Sequence, residues 1–82
     1  MIASLRGLVA DIAGPEVVLE VQGIGYLVTV PDRSALHFSL GGEVHLHTPM
    51  VVRDDHVAIF GFESREELGL FALLRSVTGV GP

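Results

Sequence analysis

The chain predicts a mainly β fold: a small antiparallel barrel of five to six strands followed by one C-terminal α-helix. Three observations carry that prediction. Short runs of branched and aromatic residues recur between glycine turns, apolar and polar residues alternate within them, and a helical period replaces the alternation only after Ser64.

Taken in order, Ile2 to Ile12 reads as a long strand, and Gly7 within it suggests the bend or bulge that lets one strand serve both sides of a small barrel. Gly14-Pro15 turns the chain. Glu16 to Val21 alternates, with Val17, Leu19 and Val21 on the buried face and Glu16, Val18 and Glu20 on the other. Gly23-Ile24-Gly25 reads as the next turn and Tyr26 to Val30 as the third strand. Between Pro31 and Leu40 the pattern breaks, and Asp32 stands where it can cap one short helical turn. Gly41-Gly42 opens a fourth strand, along which Val44, Leu46 and Thr48 share one face and Glu43, His45 and His47 the other. Met50-Val51-Val52-Arg53 and His56-Val57-Ala58-Ile59-Phe60 then flank Asp54-Asp55, which reads as the tip of a β-hairpin. Ser64 and Glu67 fit the N-cap and N3 positions of a capping box, so a helix begins there. Its apolar residues, from Leu68 to Val77, cover more than one narrow stripe, which predicts contact with the barrel and with a second surface. A partly open or closed barrel of the oligonucleotide/oligosaccharide-binding kind satisfies this pattern; a small open sheet is the alternative.

Composition sets further bounds. At 82 residues and 49% hydrophobic, the chain is one small globular unit. With no cysteine, disulfides and thiolate metal sites are excluded. The N-terminus lacks the apolar stretch of a signal peptide, and the apolar run Leu68 to Leu74 is far too short to cross a bilayer. A soluble, cytoplasmic protein without membrane contact is expected. Net charge is −5, with five arginines and no lysine, the wrong sign for a surface that neutralises phosphates by itself.

From the residues alone, Asp54-Asp55 is a solvated turn and Gly79-Val80-Gly81-Pro82 a helix stop. His45 and His47 share a strand face, yet no third ligand falls at a diagnostic spacing, so no metal is expected. Gly23-Ile24-Gly25 lacks the third glycine of a dinucleotide fingerprint and precedes a strand, and no serine has the context of a nucleophile. Neither a catalytic site nor a cofactor is expected.

Four segments nevertheless stand together in order and spacing: Gly23-Ile24-Gly25-Tyr26, Val51-Val52-Arg53-Asp54-Asp55, Ile59-Phe60-Gly61-Phe62 and Gly79-Val80-Gly81-Pro82, behind an opening Leu5-Arg6-Gly7. In this the chain resembles the N-terminal domains of the RuvA family, bacterial Holliday-junction branch-migration proteins. The resemblance implies an OB-fold-like barrel over residues 1–63, then over 64–82 the first helix and hairpin of a truncated helix-hairpin-helix domain. It implies a non-catalytic subunit of an ATP-dependent branch-migration helicase complex, acting in DNA recombination and in repair of DNA damage as part of the SOS response. Implied partners are four-way junction DNA, further copies in a homotetramer or a two-ring octamer, and a RuvB-like hexameric ATPase reached through a missing C-terminal domain. Asp54 and Asp55 would form an acidic pin at the junction centre, where a tetramer gathers eight carboxylates, two from each chain. Arg53, Gly79, Val80 and Gly81 would be the candidate DNA contacts. Two departures stand out: the pair, often Glu-Asp in the family, is Asp-Asp here, and Phe60 stands where tyrosine is common. The competing class is a protein-interaction and oligomerisation barrel without a direct DNA role, which the net negative charge favours.

Overall fold

The computed structural model describes residues 2–78. Elements follow in the order β1 (Ser4–Ala13), β2 (Glu16–Val21), β3 (Ile24–Thr29), α1 (Asp32–His37), β4 (Glu43–His47), β5 (Met50–Arg53), β6 (His56–Ile59) and α2 (Arg65–Thr78). The strands form a four-stranded antiparallel sheet in the order β3-β2-β1-β4 and a separate β5-β6 hairpin.

β1 is the spine. Leu8 to Ala13 pair with β2, while Ser4 to Leu8 pair with β4, so one strand carries both neighbours, and its register to β2 slips by one residue between Val9 and Asp11. The irregularity of β1 therefore lies between Val9 and Asp11 and not at Gly7; what Gly7 permits is close approach, since a Cβ there would stand 2.5 Å from the Glu20 carbonyl oxygen and 2.8 Å from Val21 Cγ2. Only glycine lets β1 lie that close to β2.

Sheet and hairpin are joined by the segment that follows β6. The Gly61 amide donates to the Thr29 carbonyl at 2.8 Å, and His47 and Phe62 exchange a pair of backbone hydrogen bonds at 2.8 and 2.9 Å. Thr29 and Phe60 bridge in parallel, His47 and Phe62 antiparallel. These are isolated bridges and not a continuous ladder, so the barrel is of the partly open kind. One cause is local: Pro31, just past the end of β3, has no N–H with which to extend the pairing.

The core lies inside this frame. Val17, Leu19, Val28 and Leu46 are fully buried, with Leu5, Val9 and Val30 beside them and Val51 and Phe62 closing the hairpin side. Every one of the predicted inward residues of β2 packs here, because alternation places Val17, Leu19 and Val21 on the same side.

Two local expectations need correction. β3 starts at Ile24 and not at Tyr26, because the turn is Gln22-Gly23, both with positive φ (51° and 87°), leaving Ile24 and Gly25 free to pair with Val21 and Glu20. Asp32 is not a cap. Pro31 holds the N-cap position with φ of −59° and no side-chain cap bond, while Asp32 lies in the first turn, where a carboxylate still favours the helix dipole.

Candidate nucleic-acid interface

The register of the hairpin isolates the acidic tip. Met50 pairs with Ile59, Val51 with Ala58, Val52 with Val57 and Arg53 with His56, leaving Asp54 and Asp55 as a two-residue loop. Asp54 has φ of +52°, in the left-handed region that aspartate tolerates better than most side chains. Both carboxylates are exposed. The aspartates therefore stand exposed at the end of the two-stranded β5-β6 hairpin, beyond its last cross-strand pair.

Pleating gives that hairpin two unlike faces. Val51 is buried and Ala58 half-buried, whereas the cross-strand pair Val52 and Val57 is 69% and 57% exposed. Two valines side by side in water beside a charged loop are apolar area that the rest of the domain does not cover.

α2 begins as the sequence predicts. The Glu67 amide donates to Ser64 Oγ at 3.1 Å, and the Glu63 amide donates to Glu67 Oε1 at 3.2 Å, a capping box whose return bond reaches one residue before the cap. Glu67 Oε2 also accepts from Arg33 at 2.9 Å, tying the helix start to α1, and His37 Nδ1 lies 3.6 Å from Glu63. Further along, Phe71 packs against Phe60 and Phe62 with ring centroids 5.2 and 5.0 Å apart, and the Arg75 guanidinium sits 5.9 Å from the Phe71 centroid. The helix thus touches the barrel through Phe71, and Leu70, Leu73 and Leu74 remain more than half exposed, with Leu70 and Leu74 lining a second cleft beside Pro31, Arg33, Phe62 and Phe71. These leucines are apolar area that the described residues leave uncovered, whereas Phe71 is used within the chain.

His45 is exposed and His47 half-buried, with rings 5.7 Å apart. Among the described residues no group of three or more His, Cys, Asp or Glu is placed to hold a metal ion. No helix among them is long and apolar enough to cross a membrane. Of the other candidate DNA contacts, Arg53 is placed by its backbone as the last residue of β5, and Gly79, Val80 and Gly81 lie outside the described residues. Sequence reasoning missed the cleft between hairpin and α2, because it is assembled by residues up to 24 positions apart, from Val51 to Arg75.

The comparisons with known proteins converge. The family model described as RuvA N terminal domain matches residues 1–61. A protein of Clavibacter michiganensis subsp. michiganensis named Holliday junction branch migration complex subunit RuvA is 49% identical over 82 residues, covering 100% of this chain and 38% of the relative. Proteins of the same name from Nocardia farcinica and Roseiflexus castenholzii are 43% and 42% identical, again over the whole chain and over 41% and 42% of their own lengths. The chain therefore spans about two fifths of these relatives. With the family model covering barrel and hairpin, and relatives aligned from the first residue to the last, this chain belongs to the RuvA N-terminal domain family.

Proposed function

We propose that this chain is the junction-centring and oligomerising module of a branch-migration assembly. The observation that carries the reading is the exposed Asp54-Asp55 loop at the end of the β5-β6 hairpin, in a chain whose relatives are named as Holliday junction branch migration subunits. Four copies around a four-fold axis would bring eight carboxylates, two per chain, to the point where DNA arms cross. A carboxylate about 7 Å from a phosphate is repelled by about 0.6 kcal/mol at the dielectric of water. One tip does little, but eight acting together hold backbones apart and bar continuous duplex from the centre, so selectivity comes from a repulsive element.

The chain does no chemistry in this reading. A separate hexameric ATPase pulls the arms, and the basic surface that grips phosphates belongs to a helix-hairpin-helix region of which residues 64–82 form the beginning. The leucine face of α2 supports that division, since apolar area of that extent calls for a covering element.

The test is a mobility-shift comparison of four-way and linear DNA, using the complete protein that carries this sequence and its Asp54→Asn, Asp55→Asn double variant. The amide variant is expected to bind linear duplex more tightly and to lose its preference for junctions. An unchanged preference refutes the pin. The net charge of −5 favours the second reading, a purely protein-binding barrel; there, the variant changes partner capture and leaves DNA binding untouched.

A further inference from the structure

We infer that the cleft between the β5-β6 hairpin and α2 receives a single unstacked nucleobase from the branch point, an inference that rests on the junction reading above. The cleft measures about 320 Å³ and is lined by Val51, His56, Ala58, Phe60, Phe71 and Arg75. That volume sits at the bottom of the ~300–1,000 Å³ range of small-ligand clefts, enough for one ring system and too little for a dinucleotide.

The lining has the chemistry of a stacking site. Val51 and Ala58, a cross-strand pair, make a short-chained apolar floor, and Phe60 and Phe71, packed on each other with centroids 5.2 Å apart, together supply one aromatic side. His56 and Arg75 bring nitrogen donors to the cleft, and the Arg75 guanidinium lies over the Phe71 ring. Aromatic faces with a cation beside them accept any base, because every base has a π-face. Acidic residues outnumber basic ones two to one in this chain (10 against 5), yet none lines the cleft.

Position makes the case specific. His56 directly follows Asp55, so the cleft begins beside the acidic loop. The carboxylates repel a phosphate charge against charge, but on a neutral heterocycle they act only through the weaker charge–dipole interaction. A nucleotide at the tip is then sorted by its parts: the charged backbone is turned away while the uncharged base can swing into the aromatic slot. A base so held cannot re-pair at once with the strand it has left, which gives the hairpin a second task beyond repulsion.

The test uses the complete protein at saturating concentration on a four-way junction whose branch-point thymines are replaced by 5-iodouracil, which photocross-links to aromatic side chains that it touches. Cross-links to His56, Phe60 or Phe71, located by mass spectrometry, are expected, with none when the analogue sits inside a duplex arm. The graded variants Ala58→Val and Ala58→Leu fill the slot from its floor and should lower the yield in order of size, by about five-fold or more for leucine, the equivalent of about 1 kcal/mol of stacking. Thermal melts of both variants exclude unfolding as the cause. Cross-links elsewhere in the protein, or equal yields for all three side chains, overturn the base slot while leaving the junction reading intact. A protein that forms no shifted complex with the junction overturns both.

Discussion

Replacing Gly7 with alanine probes the packing on which the barrel depends. The new methyl would lie 2.5 Å from the Glu20 carbonyl oxygen, 2.8 Å from Val21 Cγ2 and 3.1 Å from the Glu20 carbonyl carbon. Two of these three atoms are backbone, so no rotamer change relieves the contact, and β1 and β2 must part by at least half an ångström to bring the nearest one to 3.0 Å. Overpacking of this kind costs about 3 kcal/mol, and the lower chain entropy of alanine returns about 0.7 kcal/mol. The net loss of about 2 kcal/mol lowers the melting temperature of a domain this size by about 8–16 °C. Circular dichroism melts of the variant beside Gly69→Ala make the comparison internal. Gly69 is helical with nothing within 4 Å of a built Cβ, so that substitution should stabilise by about 0.5–1 kcal/mol. If Gly7→Ala melts within about 3 °C of the parent, the steric account of the close approach of β1 to β2 is wrong.

Other substitutions sort the remaining contacts. Gly61→Ala places a methyl 2.6 Å from Val28 Cγ1 and 2.8 Å from Leu46 Cδ1, both fully buried, and should cost about 2 kcal/mol by urea unfolding; a midpoint equal to the parent's counts against tight closure at that residue. Ser64→Ala removes the acceptor for the Glu67 amide and should lower stability by about 1 kcal/mol, with faster amide exchange in the first turn of α2; unchanged exchange there would mean the cap is idle. Asp54→Asn should melt close to the parent because asparagine also accepts a positive φ, whereas Asp54→Val should lose about 1–2 kcal/mol; equal melts for the two would contradict the φ of +52°.

Much of this molecule can be read from local chemistry, and what cannot has an identifiable reason. The alternation in Glu16 to Val21, broken only by Val18 on the outer face, places β2 to the residue, and the Ser64 and Glu67 pair places the start of α2. The start of β3 was obscured by competing turn chemistry: Gly23-Ile24-Gly25 offers two glycines, but the chain turns on Gln22, whose left-handed backbone nothing in its side chain announces. The two-residue acidic loop followed from its flanking strands. Its surroundings did not, since the Arg33 to Glu67 contact spans 34 positions and the meeting of Phe60, Phe62 and Phe71 depends on where a whole helix docks. Long-range juxtaposition carries no sequence period, so alternation and caps are blind to it.

The seam at Thr29–Phe60 and His47–Phe62 has a mechanical consequence. A ladder of many rungs fails only when the entire domain melts, but a few stitches can part individually while the four-stranded sheet stays whole. The β5-β6 hairpin is then expected to open at lower cost than the four-stranded sheet. Its protection against hydrogen exchange falls below that of β1 and β2, and its tip can be displaced by a partner at a cost far smaller than that of unfolding.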